Sequence, residues 1–230
     1  MAESSTAPLT ASQLQQALAR LTPERRLVGR NLSKADVLVY RVGGCRIAVK
    51  DYTARPFLAR HTVGRLLTGR ECRAYERAGA VLGLAPFLGR LGPLTMATAW
   101  IDAIPLAELP QGAASPELFD RLDAVVAGLH LRGVAMSDLH HRDVLVSENG
   151  AVHIVDLAMA FVLGPTPGWM RRCLFERLSA QDRLSAARMR ARFTGRSEDE
   201  ALAALDPASR RLWRAGRRIK GVWDRLRGSN

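Results

Sequence analysis

The chain of 230 residues is short of several things, and each shortage excludes something. It has three cysteines, Cys45, Cys72 and Cys173, widely spaced and with no C-x-x-C pair among them. An odd, scattered set argues against a disulfide framework and against a cysteine-based zinc site, and fits a reducing compartment. No run approaches the ~20 consecutive apolar residues of a membrane-spanning helix. The first residues, MAESSTAPLTASQ, lack the apolar core of a secretory signal, so the cytoplasm is the expected location. Lysine is scarce as well. Of 34 basic residues only Lys34, Lys50 and Lys220 are lysines. Where arginine is the default cation, each lysine is a candidate for a role that arginine does not fill.

What is present describes a folded protein. The composition is 47% hydrophobic and 24% charged, enough for a real core. The net charge is +12. A surplus of that size points to an anionic partner, whether nucleotide, nucleic acid or lipid headgroup, or serves solubility alone.

Residues 1–10 read as disordered, and ASQLQQALARL (11–21) as a short helix with Ser12 as its N-cap. Three strand-like runs follow: RRLVGR (25–30), DVLVYRV (36–42) and CRIAVKDY (45–52). Gly43-Gly44 between the last two is a hairpin turn signal. A helix is expected over 62–78, then short strands near 86–91 and 94–100. Ser115-Pro116-Glu117 opens a helix that runs to about His130, with Leu118, Leu122, Val125, Val126 and Leu129 on one face. DVLVS and VHIVDLA form a second hairpin, turned at Glu148-Asn149-Gly150, and from residue 169 the chain is helical and basic. The order predicts an α+β protein of two lobes. A strand-rich N-lobe (25–102) follows an N-terminal extension (1–24), and a helical C-lobe occupies 103–230. The lobes would meet near Trp100–Pro105, and clefts of that kind are common ligand sites.

Three aspartates stand in the stretch VAMSDLHHRDVLVSENGAVHIVDLA (134–158). Asp143 lies where the second hairpin begins and Asp156 where it ends, so the two converge at one end of it. Converging carboxylates repel unless something neutralises them. Mg²⁺ is such a partner, because it takes one or two carboxylates together with substrate phosphates. Asp138 would then orient a hydroxyl or accept its proton. The competing view is that all three are ordinary turn aspartates, which Asp156 resists by standing between VHIV and LAMAFV.

The pattern D-x4-D-x12-D, with VLV after its second position, resembles the catalytic core of the protein-kinase-like superfamily. There a catalytic-loop Asp is followed by an Asn and then a metal-binding Asp. Upstream, AVK on the third strand resembles the family's phosphate-binding Lys, here Lys50. RECRAYER on the next helix offers Glu71 as the partner of that Lys, with Glu76 as its rival. The matches come in the family's order across about residues 25–165. The chain is short for a protein kinase and lacks an Ala-Pro-Glu activation segment. Its layout, and SDLHHRDVLV in particular, is similar to the bacterial RIO-like and lipopolysaccharide (Kdo/heptose) kinases.

The resemblance implies ATP and Mg²⁺ as cofactors. Lys50 would hold ATP phosphates and be oriented by Glu71, Asp143 and Asp156 would hold Mg²⁺, and Asp138 would position the acceptor hydroxyl. It implies transfer of the γ-phosphate to a hydroxyl, with a lipopolysaccharide core sugar as the first expectation. A RIO-like serine/threonine kinase is the alternative, and a degenerate kinase acting as a nucleotide-binding module a third. Some positions depart from the family. The first loop, GRNLSKAD (29–36), has only Gly29 in place of a glycine-rich cover. Ser33 and Lys34 are the candidates to compensate there, unless Lys34 is merely an exposed turn residue. Asp143 stands for Asn, Leu157-Ala158 for Phe-Gly, and Met136 for His. His140 and His141, read as part of an extended segment, would point apart and not share a metal.

From Trp169 onward there are 16 basic and 7 acidic residues, +9 of the +12. Over 209–227, Leu212, Ile219, Val222, Trp223 and Leu226 share a helical face while most arginines lie elsewhere. Such a helix either rests on an anionic membrane, which would place the protein on the inner membrane face, or packs its apolar stripe on the C-lobe. Nothing in it favours nucleic acid.

Overall fold

A computed structural model describes residues 10–31, 34–110, 112–197, 200, 207, 209 and 210. Of the disorder expected over residues 1–10 only Thr10 is among the described residues, Ser33 is not, and the helix face read over 209–227 lies outside them beyond Arg210. The chain divides into two compact units, one from residues 1–80 and 85–102 and the other from 81–84 and 103–230. No described helix is long and apolar enough to cross a membrane.

The first unit is a five-stranded antiparallel sheet. Its strands are β1 (Arg25–Leu27), β2 (Asp36–Val42), β3 (Cys45–Asp51), β4 (Phe87–Arg90) and β5 (Thr95–Ala99), in the order β1-β2-β3-β5-β4. Gly43 and Gly44 turn β2 into β3 with φ of 56° and 84°. A two-residue loop of this kind needs positive φ at both positions, which glycine adopts without a Cβ clash. Alternation then sorts the side chains by face. Ile47, Val49 and Ala97 turn one way, into a core closed by Leu14 and Leu18 of α1 (Ala11–Leu18). The cap of α1 is Thr10, in a capping box with Gln13, and not Ser12. A Thr side chain two residues earlier already satisfies the first N–H groups.

Lys50 and its cross-strand partner Met96 belong to the other face. That face meets α3 (Arg65–Ala78), whose Tyr75 stacks on Phe87 with ring centres 5.4 Å apart. The helix begins earlier than its sequence suggests. A turn of helix, α2 (Phe57–Ala59), runs through a π-helical segment, Arg60–Gly64, directly into α3. β1 is shorter than the strand expected over 25–30, ending at Leu27 because Gly29 is tied to a side chain instead of a ladder.

The second unit is built on α4 (Pro116–Leu131) and α5 (Trp169–Thr194). Leu118, Phe119, Leu122, Val125, Val126 and Leu129 of α4 are all buried. Ser115 holds the N-cap position and Pro116 the first turn, but the Ser side chain makes no capping bond. Three short strands form one antiparallel sheet in the order β6-β8-β9: β6 (Ile104–Pro105), β8 (Val144–Val146) and β9 (Val152–Ile154). A two-stranded pair joins β7 (Val134–Ala135) to β10 (Phe161–Val162).

Candidate functional site

In the first unit β3 and α3 bring Lys50 and Glu71 together. Lys50 Nζ donates to Glu71 Oε1 at 2.5 Å. The Glu71 side chain is 2% exposed and that of Lys50 18%. A carboxylate this buried is stable only beside a compensating charge. The rival Glu76 is exposed, because it lies five residues on and so on the opposite side of the helix. The pair holds the Lys50 ammonium on the α3-facing side of the sheet's central strand.

The loop before β2 is organised by Asp36, a residue that no motif marks. Asp36 is 2% exposed and takes the Gly29 N–H at 3.0 Å, Arg26 Nη2 at 2.7 Å and Arg55 Nη2. Burial pushes its carboxyl up, but the Gly29 N–H and the two guanidiniums outweigh that and hold it below its ordinary value of 3.8. A Cβ on Gly29 would come within 2.5 Å of the Lys34 carbonyl and 2.6 Å of Arg55. The glycine therefore serves close approach within the loop, and its N–H is committed to Asp36. Lys34 is exposed on this loop, with its backbone N–H on Asn31 O at 3.2 Å.

In the second unit the β8–β9 hairpin has Asp143 at its entry and Asp156 just past its exit. Val144 pairs with Ile154, and the Val155 N–H donates to Asp143 O at 3.3 Å. Asp143 and Asp156 therefore lie on neighbouring chain segments at one end of β8–β9. Both are half-buried. Asp156 Oδ1 also accepts the Ala158 N–H at 2.9 Å, which fixes the turn that follows. Among the described residues no group of three or more His, Cys, Asp and Glu is arranged to hold a metal. Two half-buried carboxylates suit Mg²⁺ that is completed by phosphate oxygens and water, and do not suit a closed protein cage.

Asp138 is exposed, in the loop after β7. That loop is anchored from below by Asp182 of α5, which is fully buried. Asp182 accepts the Met136 N–H at 2.7 Å and the Ser137 N–H at 2.9 Å, and its Oδ2 is 2.9 Å from His130 Nε2. Ser137 has φ of 68°, the one positive value outside glycine among the described residues. A serine persists there only when its surroundings hold it. Sequence reasoning misses Asp182, yet a signal exists: it is in helical phase with Ser179, Ala186, Met189 and Phe193, all buried.

His140 and His141 differ from expectation. They sit in a turn and not an extended segment, and their rings lie 3.9 Å apart. Burial lowers the His141 pKa, with His140, Arg192 and Arg142 adding to the effect. They belong to no metal cluster among the described residues.

No family model matches the chain, and no curated protein does. Solved structures do. It is similar to the Rio2 kinase of Chaetomium thermophilum in two crystal structures. One is an ADP/Mg²⁺-phosphoaspartate complex, at TM-score 0.55 and 17% identity over 86% of this chain and 67% of that one. The other gives TM-score 0.57 and 15% identity over 94% of this chain and 77% of that one. The fold is protein-kinase-like. At such identity the likeness concerns the fold, and the roles of side chains rest on their own geometry.

Proposed function

We propose that the chain is an ATP- and Mg²⁺-dependent phosphotransferase that phosphorylates a hydroxyl group. The observation that carries this reading is the buried Lys50–Glu71 pair at 2.5 Å, on a protein-kinase-like fold. A lysine held this way is positioned for phosphate oxygens and prevented from wandering. Asp143 and Asp156 are the residues that would hold Mg²⁺, which when bound neutralises charge on the transferring phosphates. Asp138 is the group to orient the acceptor hydroxyl and take its proton. Its exposure suits contact with an incoming substrate, and the Asp182 anchor keeps its loop in place. Phosphoryl transfer is mostly positioning and charge neutralisation, so this small set is sufficient chemistry.

For the acceptor, a serine or threonine hydroxyl on a protein is the reading in keeping with Rio2 kinases as structural neighbours. The lipopolysaccharide core sugar, reached from the inner membrane face by the basic C-terminal segment, rests on the sequence resemblance alone. The test is transfer from γ-labelled ATP with Mg²⁺, offering a protein extract and purified core oligosaccharide in parallel. Label on protein that survives hydroxylamine supports the serine/threonine acceptor, and label on oligosaccharide supports the sugar. Hydroxylamine-labile label on the chain itself would report an aspartyl phosphate, the species named in the neighbouring Rio2 complex. ATP binding without any transfer would leave a nucleotide-binding module, and absence of ATP binding would overturn the reading.

A further inference from the structure

Beside α3, where it passes β4, a pocket of about 400 Å³ opens among Arg65, Arg73 and Arg90. Two of the three guanidiniums are tethered to backbone. Arg73 Nε donates to Gly69 O at 3.1 Å, and Arg90 donates through Nε to Gly92 O at 3.0 Å and through Nη2 to Pro93 O at 3.3 Å. These bonds restrict the two guanidiniums, Arg90 by two of them, before any ligand arrives, which lowers the entropy lost on binding. Among the described residues, none of the three is in an ion pair. Glu76 is the one carboxylate in the lining, so the pocket carries a formal +2. The Cys72 thiol in its wall is pushed up to about 11 by burial and adds no charge.

Gly69 forms part of the same lining. It stands inside α3, where glycine is the least favourable residue after proline. Its backbone is ordinary helix, and a Cβ there would meet nothing nearer than Arg90 Nη1 at 3.9 Å. Neither conformation nor packing asks for glycine at this position. Its missing side chain leaves the Nη1 of Arg90 uncovered on the side facing α3.

We propose that this pocket is a binding site for a phosphate-monoester dianion, free or carried on a phosphorylated side chain. The N–H groups that the tethers leave, with those of Arg65, suit the several oxygens of a phosphate better than the two of a carboxylate, and the −2 charge matches the +2 of the lining. The exposed Leu66 at the pocket wall offers an apolar contact beside the anion. The recess is concave, which suits a single group entering it and not the flat surface of a bilayer. The proposal concerns binding alone and stands whether or not the chain transfers phosphate.

The test is NMR on the full-length protein, ¹⁵N-labelled and held with Mg²⁺ and a non-hydrolysable ATP analogue, so that other phosphate sites are filled. Inorganic phosphate, a phosphoserine peptide and its unphosphorylated twin are titrated in turn. The expected result is saturable movement of the Gly69 amide and of the Arg73 and Arg90 Nε–H signals. Tighter binding of the phosphopeptide than of phosphate assigns the site to a phosphorylated side chain, and equal binding assigns it to the free anion. Gly69→Ala should raise the melting temperature, because alanine favours helix, yet weaken binding by about tenfold or more. A merely structural glycine would not separate those two effects. Arg73→Gln with Arg90→Gln should abolish binding. The proposal fails if no signal moves at millimolar phosphate or peptide, if Gly69→Ala binds like the parent, or if anionic phosphatidylglycerol vesicles move these signals while phosphate and peptide do not.

Discussion

Asp182 Oδ2 lies 2.7 Å from the backbone N of Met136, so a carboxylate on α5 holds a loop 46 residues earlier in the chain. With the bond to Ser137, it satisfies two backbone donors just before Asp138. Asp182→Ala leaves both without a partner, along with His130 Nε2. A buried orphan donor costs roughly 1–3 kcal/mol, so a loss of about 3 kcal/mol is expected. Turnover should fall as well, since Ser137 loses the contact that holds its positive φ. Asp182→Asn keeps one acceptor oxygen and should fall between the two. Denaturant unfolding and initial rates check this, and parental values in both for Asp182→Ala would dismiss the anchor.

Lys50→Arg should not behave as a conservative change. Arginine is longer and forked, and Glu71, at 2% exposure, sits where a compact ammonium fits. ATP affinity is expected to drop by about tenfold or more, the equivalent of ~1.4 kcal/mol. Glu71→Gln should weaken ATP binding less, because the amide oxygen still accepts from Nζ. Titration calorimetry with ATP decides the matter, and unchanged affinity in Lys50→Arg would make Lys50 an ordinary strand residue.

The Asp36 hub predicts a pH dependence. Its folded pKa lies below the ordinary 3.8, so its contribution to stability is complete above that value. It is lost as pH falls from there through the folded pKa, because protonation removes the charge that Arg26 and Arg55 pair with. Asp36→Asn should therefore be less stable than the parent at pH 7, and the gap should narrow as pH drops below about 4. Unfolding curves across that range test it. A gap that stays constant with pH would mean the charge of Asp36 contributes nothing.

How far the sequence carried depended on the range of the interaction. Alternation in β2 and β3 and the Gly43-Gly44 turn are local signals, and the strands stand nearly where those signals place them. The facing of Lys50 and Glu71 was also legible, because a strand residue of known face meets the next helix in the chain. The placing of Asp143 and Asp156 at one end of the hairpin followed from local turn and strand signals in the same way. Asp182 was not legible as an anchor, since the amides it serves lie on a segment that nothing in α5 announces. Asp36 looked like any strand-leading aspartate, because the two arginines that bury it come from positions 26 and 55. The π-helical segment Arg60–Gly64 joins α2 to α3 without a sequence marker, so periodicity alone starts the helix at Thr62. The alternation of a strand would separate His140 and His141, and a turn places their rings together instead.

The last prediction concerns the two hairpin aspartates, whose roles differ. Asp156 lies just past β9, and its Oδ1 also takes the Ala158 N–H. Asp156→Asn keeps that turn acceptor and removes only the negative charge. The fold should survive, with a melting temperature close to that of the parent. Turnover should fall by about a hundredfold or more, because a metal clamp on a transferring phosphate supplies several kcal/mol. Asp143 stands where the protein-kinase pattern that the sequence resembles has Asn, so Asp143→Asn should keep activity and shift its Mg²⁺ dependence. An amide oxygen still coordinates but attracts the cation less, so more Mg²⁺ is needed for half-maximal rate. Asp143→Ala removes the ligand and should lose both rate and affinity. Initial rates over a Mg²⁺ series, with melting temperatures taken with and without EDTA, separate these outcomes. If Asp156→Asn and Asp143→Ala both follow the parental Mg²⁺ curve, the metal is held elsewhere and the hairpin carboxylates are turn residues after all.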